Sequence, residues 1–130
     1  MKYALAIYGA PATSQAGQTA LQFAKAVIAK GHSIHRLFFY QDGVHTATTL
    51  ASPPQDEQHL PAEWESFIQE NRLDSVVCIA AALRRGIIDA SEAERYERPA
   101  HNLSDVHQLS GLGQLIDAGL EADRFITFGS

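Results

Sequence analysis

A chain of 130 residues, 45% hydrophobic and 19% charged, is expected to fold as one domain over residues 1–130, with an ordinary core and little disorder. The formal net charge is −5 and there is no run of Lys and Arg, which argues against unaided binding to nucleic acid or an anionic membrane and leaves only a local basic spot at Arg84-Arg85. The one cysteine excludes an internal disulfide and a cysteine cluster for zinc or iron–sulfur, and predicts a reducing compartment.

The apolar N-terminal stretch through Ile7-Tyr8 stops at Gly9-Ala10-Pro11, too short for the h-region of a signal sequence. Residues 3–8 instead predict a first strand covered on both faces. No segment approaches the roughly 18 apolar residues of a membrane span, so a cytoplasmic location is expected. Ser14 is placed to cap a helix running to about Lys30, with Ala20, Leu21, Ala24, Val27 and Ile28 at helical spacing and Gly31 as its C′ residue. The loop from Gly9 to Gln18 contains neither G-x-G-x-x-G nor G-x-x-x-x-G-K-[ST], so no nucleotide is expected there.

Ser33 to Tyr40 predicts the second strand. The irregular stretch from Gln41 to Glu57 follows, with a turn signal at Asp42-Gly43 and a break at Pro53-Pro54. Its apolar members Val44, Ala47, Leu50 and Ala51 suit either a short helix over the sheet edge or contact with another subunit. Pro61 begins a helix to Asn71, with Trp64, Phe67 and Ile68 on one face as core or interface residues. A buried strand over Val76, Val77 and Ile79 comes next, then a helix from Ala80 that stops at Gly86. Asp89 and Ser91 compete to cap a charged helix from Glu92 to Glu97. Val106–Leu109 predicts a short strand, Gln114–Ala118 a helix ending at Gly119, and Asp123–Phe128 the last strand. This alternation predicts an α/β fold: a mostly parallel sheet with helices on both faces.

Cys78 stands where chemistry is kept in open α/β sheets, at the carboxyl end of a central strand. Two readings of it stay open. An isolated cysteine is commonly a small core hydrophobe. A helix N-terminus at Ile79-Ala80 and the guanidiniums of Arg84 and Arg85 would instead favour a thiolate or serve to dock a partner. None of the six histidines forms a local signature with Cys78, although His101 and His107 precede the last helix and are candidates to approach it. Without C-x-x-C, internal disulfide exchange is excluded. A single thiol suffices to accept a sulfane sulfur and hand it on. The carboxylates do not gather with histidines, so no metal and no cofactor is expected.

The run V-C-I-A-A-A-L-R-R-G-I-I-D at 77–89 resembles the cysteine region of the DsrE-type sulfurtransferase family, most closely its TusD type. The likeness extends through Ala20-Leu21-Gln22-Phe23-Ala24, the Phe38–Val44 corner, Ser52-Pro53, Leu109-Ser110-Gly111-Leu112-Gly113 and Asp123-Arg124. It implies a three-layer α/β/α sandwich on a parallel five-stranded sheet, with Cys78 as the persulfide-carrying nucleophile. It further implies a sulfur relay for 2-thiolation of the tRNA wobble uridine: a heterohexamer with TusB-like and TusC-like subunits, a TusA-like donor and a TusE-like acceptor. Within the family, a carrier in dissimilatory sulfur oxidation is the nearest alternative. A non-catalytic scaffold of the same fold, with Cys78 an inert core residue, and a small-molecule hydrolase are the alternatives from other functional classes.

Overall fold

The computed structural model describes residues 1–129. Five parallel strands, β1 (Lys2–Ile7), β2 (Ser33–Phe39), β3 (Ser75–Cys78), β4 (Gln108–Ser110) and β5 (Arg124–Phe128), form one sheet in the order β4-β3-β2-β1-β5. The connecting helices are α1 (Ala16–Ala29), α2 (Leu60–Asn71), α3 (Ile79–Arg84), α4 (Ala90–Arg95) and α5 (Gly113–Glu121).

Handedness explains how the helices are distributed. The crossovers β1→β2, β2→β3 and β3→β4 all step in one direction across the sheet, so right-handed connections keep α1 to α4 on one side. The last crossover returns from β4 past the whole sheet to β5 and leaves α5 alone on the other side. Side-chain contacts agree. Phe23 of α1 meets Tyr3 and Phe128, and Trp64 of α2 meets Phe39, all on the first face. On the opposite face Arg36 donates to the Gln114 carbonyl and the Asp117 carboxylate of α5, at 3.1 and 2.9 Å. The expected sandwich is therefore present, with its two helical layers unequal.

The core is densest under α1 and α2, where Leu5, Ile7, Leu21, Leu37, Phe39, Trp64 and Ile68 are buried. Trp64 is fully enclosed and its indole N–H donates to the Gly17 carbonyl, which makes it a core residue and removes it from any interface. Gly31 and Gly86 end α1 and α3 with positive φ. In each case the amide of the following residue reaches back to the carbonyl five residues earlier, His32 to Val27 and Ile87 to Ala82, which closes the helix end.

Several boundaries differ from the expected ones for local reasons. Ser14 accepts from the Ala16 amide in a turn just ahead of α1, and Gln15 occupies the cap position. The His59 ring accepts from the Ala62 amide, so α2 begins at Leu60. Asp89 rather than Ser91 caps α4, accepting from the Glu92 amide at 2.8 Å, and α4 starts at Ala90. Ile79 is the first residue of α3, not a strand residue. Gly119 lies inside α5, with Phe125 beside it. The long connection opens with a 3-10 helix, Gln41–Ala47, whose Val44 and Ala47 are buried. Gly43 is held against β1 so closely that a Cβ there would lie 2.2 Å from the Ile7 carbonyl oxygen. This backbone approach, more than a free turn, is what the Asp42-Gly43 pair serves.

Candidate functional site

Parallel pairing settles which way the cysteine faces. Phe39 pairs with Val77 and contacts Trp64, so Val77 and Ser75 look toward α1 and α2. Val76 and Cys78 alternate to the α5 side of the sheet. Cys78 is both the last residue of β3 and the N-cap of α3, with extended backbone (φ −60°, ψ 119°) and no side-chain capping bond. Across the strand pair stands Ser110, and the Gly111-Leu112-Gly113 turn then leads into α5. All three turn residues are exposed, and a Cβ at either glycine would meet nothing within 4 Å. Cys78 thus ends its strand beside the one that leads into this glycine-containing turn, and the residue is only 3% exposed in the isolated chain.

The neighbouring residues are arranged unequally. Ile79 and Ala80 form the first turn of α3, half-buried and exposed respectively. Arg84 is exposed in the last turn. Arg85 is committed: its Nε donates to Asp42 at 2.9 Å and its Nη1 to the Ala81 carbonyl at 3.0 Å, tying the end of α3 to the 3-10 helix. Asp42 was not expected to have a place here. The sequence signal for it was the Asp-Gly turn, which carries no information about a partner 43 residues away.

His107 is not a base for Cys78. Its Nδ1 shares a 2.7 Å hydrogen bond with the Ser75 hydroxyl, and its ring stands edge-on to Phe39, both on the α1–α2 face. Burial pushes its pKa down to about 4, because the imidazolium would lose its hydration there. His101 is exposed and lines a depression of about 350 Å³ together with Asp89, Ser91, Ser104, Asp105 and His107. Cys78 does not line that depression. Among the described residues no cluster of three or more His, Cys, Asp or Glu side chains is placed to hold a metal ion.

The model of the DsrE/DsrF-like family matches residues 1–128. The chain belongs to the DsrE/DsrF-like family. It is 54% identical over 129 residues to a protein of Pseudomonas aeruginosa named sulfurtransferase TusD homolog, covering 99% of this chain and 98% of that one. It is 49% identical over 129 residues to the putative sulfurtransferase DsrE of Allochromatium vinosum, covering 99% of each. The crystal structure of the ychN protein from E. coli superposes with a TM-score of 0.78 over 98% of this chain and 99% of that one, at 21% identity, which speaks to the fold alone. This member is thus a sulfurtransferase closely related to the TusD type, and its place is in sulfur relay between partners. No helix among the described residues is long and apolar enough to cross a membrane.

Proposed function

We propose that this sulfurtransferase carries the transferred sulfur as a persulfide on Cys78, in a single sulfurtransferase domain of residues 1–130. The observation that carries the reading is the position of the sole cysteine: strand end, helix start and glycine-flanked edge coincide at one thiol. The Cys78 thiolate attacks the terminal sulfur of a donor persulfide. One S–S bond forms as another breaks, and the donor leaves as a thiolate. The acceptor thiolate then attacks the terminal sulfur now on Cys78 and releases the Cys78 thiolate. The two steps are isoelectronic exchanges, so no external oxidant or reductant is consumed. The first turn of α3 at Ile79 and Ala80 supports the developing charge, and the exposed Arg84 meets an acidic partner face. Such a rim charge governs docking rate more than affinity. Because Cys78 is only 3% exposed in the isolated chain, donor docking must open a path to the thiol.

The sulfur is destined for 2-thiolation of the tRNA wobble uridine in the cytoplasm. A TusA-like donor loads the chain, TusB-like and TusC-like subunits complete a heterohexamer, and a TusE-like protein accepts. The high identity to TusD homologs supports this assignment, and the acidic balance agrees with handing sulfur to a protein rather than gripping tRNA. The likeness to DsrE favours a second reading, the same chemistry in dissimilatory sulfur oxidation. The burial of Cys78 favours a third, a scaffold whose cysteine is inert. Intact mass spectrometry after incubation with a persulfide donor separates carrier from scaffold. The carrier gains one labile sulfur, about 32 Da, at the persulfide level of cysteine modification, and Cys78→Ser gains none. The same mass gain in wild type and Cys78→Ser, or no gain in either, refutes it.

A further inference from the structure

Two adjoining depressions, of about 200 and 370 Å³, lie between the start of α2, the end of the 3-10 helix and the loop after α4, with Thr49, Glu65 and Ser104 in the walls of both. Thr46 lines the smaller one. It is 1% exposed, and its hydroxyl has no hydrogen-bond partner among the described residues. A buried hydroxyl left so is rare in a native fold and points to a partner supplied from outside. Nearby, the Ser104 hydroxyl donates to one oxygen of the Glu65 carboxylate. That commits the hydroxyl hydrogen of Ser104, so Ser104 and Glu65 both turn to a ligand as acceptors.

We propose that these depressions bind an alkylammonium group, its charge at Glu65 and its apolar chain lying in the larger depression against Leu103 and Val106. Charge selects the sign of the occupant: Glu65 and Asp105 line the depressions, and among the described residues no Lys or Arg does. The N-terminus of α2 would otherwise draw an anion, but its donors are spent. Pro61 has no N–H, the Ala62 amide donates to the His59 ring at 3.3 Å, and the Glu63 amide donates to the His59 carbonyl at 3.1 Å. Donor number selects an ammonium over a metal ion. Its three N–H groups match the acceptors at Glu65, Ser104 and Thr46, whereas among the described residues no cluster of three His, Cys, Asp or Glu is placed to hold a metal. Cys78 lines neither depression, so the proposal stands independently of the persulfide reading.

Titration of the full chain with n-butylammonium, followed by backbone amide resonances, tests it. Saturable shifts centred on Thr46, Glu65 and Ser104 are expected, with a Kd of about 1 mM or below. Tetramethylammonium has the same charge but no N–H donor, and should bind at least about tenfold more weakly. Glu65→Gln keeps an acceptor for Ser104 while removing the charge, and should weaken n-butylammonium at least about tenfold. Thr46→Val keeps the shape and removes the hydroxyl, and should weaken it about threefold. The amide of Nα-acetyl-lysine carries the same group on a peptide unit: tighter binding than n-butylammonium assigns the site to a protein side chain, weaker binding to a free amine. No saturation in wild type, shifts centred elsewhere, equal affinity for tetramethylammonium, or unchanged affinity in either variant overturns the proposal. The wild-type shifts decide the matter even where a variant fails to fold.

Discussion

Replacing His107 with Gln should flatten the acid limb of stability. In the folded chain His107 titrates near 4, pushed there by burial, whereas an unfolded chain binds the same proton near the ordinary value of 6.5. The folded state therefore holds fewer protons on this residue. Its contribution to stability is fully present above 6.5 and is lost as the pH falls through the folded pKa. Integrating between pH 7.5 and 4.5 gives a loss of about 2.5 kcal/mol from this one group, a large share of a typical domain's stability. Urea unfolding followed by Trp64 fluorescence at a series of pH values reads it directly. The two proteins share every carboxylate, so their difference isolates the imidazole. His107→Gln should lose about 2.5 kcal/mol less than wild type over that interval. Parallel curves for the two proteins would show that the Ser75–His107 pair is not desolvated in solution and would refute the reasoning.

Other expectations follow from single contacts. Gly43→Ala places a methyl group 2.2 Å from the Ile7 carbonyl oxygen, so the 3-10 helix must lift off β1. A loss of about 3 kcal/mol in chemical denaturation is expected, and an unchanged midpoint would disprove the close approach. Asp89→Ala removes the α4 cap and should cost about 1 kcal/mol, whereas Ser91→Ala should cost far less by the same measurement, since Asp89 makes the capping bond.

Much of the fold could be read from the sequence because it was written in local chemistry. The hydrophobic runs of β1 and β2, the helical spacing from Ala20 to Ile28 and the stops at Gly31 and Gly86 each specify conformation without reference to distant residues. What escaped were features decided by tertiary contact. Gly119 reads as a helix stop, but α5 runs through it beside Phe125. That early stop hid Leu120 from the helix. Trp64 reads equally well as core or interface until the Phe39 ring and the Gly17 carbonyl are placed around it. At the candidate site the strand end and helix start were legible from residue order. The face Cys78 occupies was not, because it depends on strand register, and its burial was not, because it depends on what packs over the sheet. The Arg85–Asp42 pair likewise joins two segments that only the fold brings together.

The central claim is that sulfur passes through Cys78 as a persulfide, and a chase with isotopically labelled sulfur tests it most directly. The loaded chain, separated from donor and mixed with a thiol acceptor protein, should give up one labelled sulfur per chain and return to its starting mass, with Cys78→Ser folded but never labelled. Label that stays on the protein, or that reaches the acceptor equally well through Cys78→Ser, would contradict the account.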